Sequence, residues 1–152
     1  MTVVGVQKMR EEVSRFIARL EPPASGAIVV TLSGELGAGK TAFVKAAAKA
    51  LGVEEHITSP TFVIMKIYDL YGQMFKKLVH IDAYRLKGEH HLKVLGWGEL
   101  CADPQNLIFV EWPEQAGNAI PKDAIRITLR YSGENDREII YEGEGKKAVG
   151  AA

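Results

Sequence analysis

The residues whose types and spacing best fit a chemical role form a short glycine-rich segment in the first third of the chain. Residues 34–41 read GELGAGKT, which matches the pattern G-x-x-x-x-G-K-[ST]. Glycines at this spacing let the backbone curl so that successive amide groups face phosphate oxygens. The lysine then reaches the β- and γ-phosphates, and the following hydroxyl binds magnesium. We predict these roles for Lys40 and Thr41; the alternative is a glycine-rich turn with a solvated lysine.

The nucleotide contacts predicted from this motif cover most of the loop and the residue after it. A helix that starts near Lys40 would add the positive end of its dipole to the same site. The predicted contacts are Glu35, Leu36, Gly37, Ala38, Gly39, Lys40, Thr41 and Ala42.

Two acidic residues follow apolar runs that are typical of buried strands. Glu111 follows the run LIFV, and Asp82 follows LVHI, in which His80 interrupts the apolar pattern. A site of this kind needs an acid at the end of a neighbouring strand. We assign Glu111 to magnesium and Asp82 to positioning or deprotonating the attacking water. Swapped roles stay open, as does a helix cap or a lysine pair, and we expect His80 to be half-buried and structural.

Three further residues have a functional interpretation and an ordinary one. Thr61, in a Ser-Pro-Thr segment, is placed to sense the γ-phosphate and magnesium, or else forms a simple turn. Arg85 stabilises charge in the transition state, binds a partner, or makes a surface salt bridge. Trp112 stacks on a base or a partner, or packs in the core.

The elements that must position these residues alternate between strand and helix. The apolar run at residues 27–32 predicts a strand buried on both faces, directly before the loop. Helical spacing after the loop predicts a helix that ends near Gly52. The other predicted elements are a strand at 3–6, a helix over 6–20, a hairpin of 62–70 and 74–81, a helical region over 89–101 broken at Gly96 and Gly98, a strand at 107–110, and a hairpin of 125–131 and 137–141.

These elements favour an α/β fold of the P-loop type with three layers. The central sheet is predicted to be mainly parallel, with antiparallel edge strands and hairpins. At 152 residues, with 47% apolar and 25% charged side chains, the chain has the composition of one globular domain. We expect a single domain over residues 1–142 and a flexible tail over residues 143–152.

Charge and cysteine content narrow the functional classes. Lys and Arg number 19, as do Asp and Glu, so the formal net charge is zero. Binding to nucleic acid or to an anionic membrane through bulk charge is therefore not expected. The single cysteine excludes an internal disulfide and a thiolate zinc cluster. Because the apolar runs are too short to span a bilayer and the first residues do not resemble a signal peptide, we expect a cytoplasmic protein with no membrane partner.

Four segments in a fixed order resemble the bacterial TsaE family of P-loop ATPases. They are residues 33–43 (SGELGAGKTAF), 59–62 (SPTF), 80–86 (HIDAYRL) and 107–114 (LIFVEWPE). The resemblance implies ATP or ADP and Mg²⁺ as ligands, with Lys40 on phosphates and both Thr41 and Glu111 on the metal. It also places Thr61 in a first switch segment, Asp82 in a second, and Trp112 near the nucleotide.

The resemblance further implies a role in making threonylcarbamoyladenosine in tRNA. Proteins of this family act with TsaB and TsaD on the adenosine beside the anticodon of tRNAs that read codons beginning with A. Their ATP hydrolysis is expected to reset the complex between turnovers, weakly alone and faster with partners, and they meet tRNA through the complex. Two alternatives stay open: a small-molecule phosphotransferase, and a nucleotide switch that does not hydrolyse ATP.

Overall fold

A computed structural model describes residues 2–54, 65–133 and 136–142 of the chain. Within these ranges a seven-stranded sheet has the order β1-β7-β6-β2-β5-β4-β3. The strands are β1 Thr2–Gly5, β2 Ile28–Ser33, β3 Met65–Asp69, β4 Lys77–Asp82, β5 Asn106–Glu111, β6 Ile125–Tyr131 and β7 Asp136–Glu142. The helices are α1 Val6–Ala18, α2 Lys40–Ala50, α3 Glu89–Val94 and α4 Trp97–Ala102, with short 3₁₀ helices at Ala83–Arg85 and Pro113–Ala119.

The four central strands of the sheet are parallel, and its edges are antiparallel. Strand β2 lies between β5 and β6 and runs parallel to both, and β4 pairs parallel with β5. Strand β3 pairs antiparallel with β4, and β7 pairs antiparallel with β6 and β1. The predicted α/β fold, with a parallel centre and antiparallel edges, is confirmed.

Helices cover both faces of the sheet, which gives the three predicted layers. Side chains alternate between the faces of a strand, so neighbouring residues of β5 enter different clusters. Phe109 packs with α1 and α2, whereas Ile108 and Val110 pack with α3, α4 and the second 3₁₀ helix. Every residue of β5 is buried, as expected for a strand between two helical layers.

Local differences from the predicted elements have identifiable causes. The second strand of the first hairpin begins at Lys77, not at residue 74, because the amide of Leu70 donates to the carbonyl of Lys76 and closes a loop there. The predicted break at Gly96 is real, since its φ of 82° separates α3 from α4. The predicted break at Gly98 is wrong, because Gly98 lies inside α4, which buried Trp97 anchors. Residues 62–64 and 143–152 lie outside the described residues.

Candidate active site

The glycine-rich loop, residues 34–39, joins the end of β2 to the start of α2. Gly34, Gly37 and Gly39 have φ values of 150°, 82° and 107°, which favour glycine. A Cβ atom on Gly34 would lie 2.5 Å from the carbonyl oxygen of Leu129 in β6. The loop thus packs closely against the neighbouring strand, and its first residue has no room for a side chain.

The loop ends at the N-terminus of α2, where the first amide groups of the helix lack side-chain caps. Gly39 is the N-cap residue and supplies no side-chain acceptor. The first-turn amides of a helix have no partners within the helix, and they carry the positive end of its dipole. The 11-residue helix therefore offers its amide donors to an anion at this end.

Lys40, the first residue of α2, is folded back over the loop. Its side chain is 5% exposed. The ammonium group donates to the carbonyl oxygen of Gly34 and, at 3.0 Å, to that of Glu35. Nζ also lies 4.0 Å from the centre of the Trp112 ring, a cation–π distance. Lys40 is therefore held between two carbonyl groups of the loop and the ring of Trp112.

Burial makes the charge of Lys40 costly to maintain. Loss of solvent lowers the pKa of its ammonium group below the usual value. The nearby carboxylates of Glu111, Glu114 and Asp82 act in the opposite direction but do not cancel the effect of burial. An incoming anion would add to the stabilisation that these carboxylates provide.

Thr41 and Glu111 face each other across the start of α2 and the end of β5. The Thr41 hydroxyl lies 3.0 Å from Oε1 and 3.2 Å from Oε2 of Glu111. Glu111 is only 3% exposed, and its Oε2 lies 2.6 Å from Nε2 of His80. Both predicted magnesium ligands are thus brought together. Hydroxyl and carboxylate oxygens are the hard donors that Mg²⁺ prefers, so the residues present fit this ion.

Asp82 lies at the end of β4, directly opposite Glu111 in the register of the two parallel strands. Its Oδ1 accepts a hydrogen bond of 3.1 Å from the backbone amide of Tyr84 and so caps the first 3₁₀ helix. Asp82 therefore does cap a helix, which was one of the alternatives left open for the two acids. Glu111, rather than Asp82, is the acid in contact with the Thr41 hydroxyl.

Trp112 and Arg85 take different positions around the site. Trp112 is half-buried, contacts the core on one side, and packs against Tyr84 with ring centres 5.1 Å apart. Its φ of 57° is the one positive value among the non-glycine residues that the structure describes. Arg85 is exposed in the first 3₁₀ helix. Thr61 lies outside the described residues.

The remaining predicted loop contacts differ in exposure. Glu35, Leu36 and Gly37 face solvent, and Leu36 is 82% exposed although it is a large apolar residue. Ala38 is buried and packs with the core below the loop, while Ala42 is exposed on α2.

A pocket of about 430 Å³ opens beside the loop on the side of α1 and α2. Its volume falls in the range that is usual for small-molecule sites. Met9 contributes apolar surface, and the cationic residues Arg10, Lys45, Lys49 and Arg137 surround it.

Two residues near the site were missed or misjudged in the sequence. His80 is completely buried rather than half-buried, and it contacts Glu111. Strand alternation was the available signal, because it places residues 80 and 82 on one face of β4. No sequence pattern indicates that Tyr84 packs against Trp112. Among the described residues, no three His, Cys, Asp or Glu side chains form a metal-binding group.

Comparison with known proteins shows the family of this chain. Residues 7–139 match the family model described as Threonylcarbamoyl adenosine biosynthesis protein TsaE. The chain belongs to the TsaE family. A TsaE relative from Treponema pallidum is 39% identical over 111 residues, which cover 73% of this chain and 78% of the relative. The TsaE of Bacillus subtilis is 34% identical over 137 residues, or 90% of this chain and 83% of the relative.

The TsaE fold is also found in a solved structure. The crystal structure of YdiB from Bacillus subtilis superposes with a TM-score of 0.69 at 26% sequence identity. The match covers 95% of this chain and 84% of YdiB. Within residues 2–54, 65–133 and 136–142, this TsaE chain has no helix with the length and apolarity to cross a bilayer.

Proposed function

We propose that this chain is a magnesium-dependent ATPase that acts in the biosynthesis of threonylcarbamoyladenosine in tRNA. The observation that carries the proposal is the pairing of the Thr41 hydroxyl with the Glu111 carboxylate beside the glycine-rich loop. Membership of the TsaE family supports the pathway. The loop, the uncapped start of α2 and buried Lys40 support a phosphate-binding role.

We assign each part of ATP to one region of this site. The loop amides and Lys40 would bind the phosphates, and Lys40 would exchange its contacts with two loop carbonyls for phosphate oxygens. The pocket between α1, α2 and the loop would receive the nucleoside, with Arg137 and Arg10 at its rim. Trp112 would border the phosphates, since its ring already contacts the Lys40 ammonium group.

Thr41 and Glu111 would hold Mg²⁺, which when bound neutralises charge that develops on the phosphate oxygens. Hydrolysis forms a bond from the water oxygen to the γ-phosphorus and breaks the bond to the oxygen that bridges to the β-phosphorus. Asp82, which lies opposite Glu111 at the carboxyl ends of β4 and β5, would orient this water and take its proton. ADP and inorganic phosphate are the products.

We further propose that TsaB and TsaD are the partners, and that hydrolysis resets their complex between turnovers in the cytoplasm. The zero net charge fits a subunit that meets tRNA through its partners rather than directly. Thr61 and Arg85 are the proposed switch and partner-responsive residues, together with Asp82.

The test is phosphate release from ATP in magnesium buffer, measured for the chain alone and with TsaB and TsaD. We expect slow turnover alone and strong stimulation by the partners. Glu111→Ala should retain nucleotide binding and reduce magnesium-dependent hydrolysis by about 100-fold or more, because it removes a metal ligand. Glu99→Ala, which removes an exposed carboxylate on α4, is the charge-matched control and should leave turnover unchanged.

Three results would contradict the proposal in different ways. Unchanged turnover of Glu111→Ala would refute the metal role. Phosphate transferred to an added metabolite instead of water would indicate a phosphotransferase. Nucleotide-dependent binding of TsaB and TsaD without hydrolysis would indicate a switch.

A further inference from the structure

His80 is a polar side chain buried in the middle of a hydrophobic strand. The residue is 0% exposed, and its neighbours in β4, Leu78, Val79 and Ile81, are buried apolar residues. Its Nε2 lies 2.6 Å from Oε2 of Glu111. A buried polar group of this kind is destabilising unless its hydrogen bonds are made. The strand pattern alone would favour an apolar residue here.

The strand register explains why His80 meets Glu111. Strands β4 and β5 are parallel, with Asp82 opposite Glu111 and His80 opposite Phe109. Residues two apart in a strand share a face, so His80 lies diagonally across from Glu111 on the face that α1 and α2 cover. The contact therefore joins a residue within β4 to the last residue of β5.

The contact between His80 and Glu111 uses one of the two ring nitrogens of the histidine. A carboxylate only accepts hydrogen bonds, so Nε2 of His80 donates to Oε2 of Glu111. Nδ1 is buried and has no hydrogen-bond partner among the described residues. Among the described residues, the carboxylate of Glu111 is therefore the one hydrogen-bond partner of the His80 ring.

We propose that His80 is a positioning residue that orients the Glu111 carboxylate for Mg²⁺ binding. The inference rests on the proposed magnesium role of Thr41 and Glu111. With Oε2 held by His80, the carboxylate cannot rotate freely, and Oε1 stays 3.0 Å from the Thr41 hydroxyl. Residues that hydrogen-bond to metal ligands typically change metal affinity or activity by about 10–100-fold when they are replaced.

A matched pair of substitutions separates the hydrogen bond from the volume of the side chain. His80→Gln places an amide donor near the position of Nε2, whereas His80→Met has a similar length and no donor. The measurement is Mn²⁺ affinity in the presence of ADP, by electron paramagnetic resonance, together with ADP affinity in metal-free buffer. Neither readout requires hydrolysis.

His80→Met should weaken Mn²⁺ binding by about 10–100-fold, while ADP affinity without metal stays unchanged. His80→Gln should remain within about threefold of the parent protein because the donor is restored. Asn106→Leu is the control, since Asn106 is also buried with an unpartnered side-chain oxygen within the described residues, at the opposite end of β5. This control should leave Mn²⁺ affinity unchanged.

The proposal also predicts that His80 acts through Glu111. In a Glu111→Ala background, adding His80→Met should not weaken Mn²⁺ binding further. Equal Mn²⁺ affinity of His80→Met and the parent protein would overturn the positioning role, as would an equal loss in both backgrounds. If His80→Met does not fold, His80→Asn makes the same distinction, because the shorter amide does not reach Glu111.

Failure of this inference can be distinguished from failure of the proposed function. If the parent protein binds Mn²⁺ with ADP and His80→Met binds it equally well, only the role of His80 is refuted. If the parent protein binds no Mn²⁺ in the presence of ADP, the metal site itself is refuted, and the role of His80 with it.

Discussion

Replacing Gly34 with alanine should destabilise the protein more than the same change at Gly133. Both glycines have φ of 150°, so both substitutions place a side chain on an unfavourable backbone. That strain costs about 1–3 kcal/mol. The two sites differ in the room that they leave for a Cβ atom. A Cβ atom on Gly133 would meet no atom closer than 3.8 Å, whereas one on Gly34 would lie 2.5 Å from the Leu129 carbonyl oxygen.

The close contact at Gly34 cannot be relieved by rotating a side chain. The oxygen belongs to the backbone of β6, and ordinary van der Waals contact begins at 3.4 Å. Either the loop or the strand must move, and overpacking of this kind adds about 1–3 kcal/mol. We therefore expect Gly34→Ala to lose about 2–6 kcal/mol of unfolding free energy and Gly133→Ala about 1–3 kcal/mol.

Urea unfolding followed by circular dichroism measures both losses. For a chain of this size, each kcal/mol also lowers Tm by about 2–4 °C, so the difference should be visible by calorimetry. Gly34→Ala should also weaken ADP binding, because a displaced loop misaligns its amide groups. Equal losses of stability in the two variants would refute the reasoning, since they would show that the contact with Leu129 is not limiting.

Two further predictions concern a thiol and a tryptophan. Burial raises the pKa of the Cys101 thiol to about 11 from 9.0, so its thiolate fraction at pH 8 is about 100-fold smaller in the folded protein than in urea. Cys101 should therefore react about 100-fold more slowly with a disulfide reagent in the folded protein than in urea. Because the pKa of Cys101 is higher in the folded protein than in the unfolded chain, the free energy of unfolding should fall as pH rises from about 9 to 11. Equal reaction rates of Cys101 in the folded protein and in urea would contradict the burial of this thiol. In Trp97→Phe, ADP should change the fluorescence of Trp112 as Lys40 leaves its ring, whereas Trp112→Phe should show no change. Calorimetric binding without a signal from Trp97→Phe would contradict this prediction.

Much of the fold could be predicted because its signals are local. The run before the loop is apolar at every position except Thr31, and this strand is buried on both faces in the structure. Glycines at 34, 37 and 39 predict a curled loop, and each has the positive φ that such a loop requires. Errors occurred where a tertiary contact overrode the local pattern. At Lys76, for example, the amide donates to the carbonyl of Gln105 and the carbonyl accepts from the amide of Leu70, and β4 begins only at Lys77.

The sequence by itself determined that a glycine-rich loop directly follows a buried strand and that two acidic residues stand at the ends of other strands. These features depend on residue type and short-range periodicity, which any reader of the chain can count. The family was identified from four segments in a fixed order, at residues 33–43, 59–62, 80–86 and 107–114. Because the carboxyl ends of parallel strands meet at one edge of a sheet, Asp82 and Glu111 could be expected near the loop.

Only the tertiary structure decided which acid contacts Thr41 and what holds that acid in place. The choice depends on the register of β4, β5 and β2, which brings residues 70 positions apart within 3.0 Å. The same register brings His80, which in the sequence only interrupts an apolar run, into contact with Glu111. Register is a property of paired strands, so no single segment of the sequence contains it.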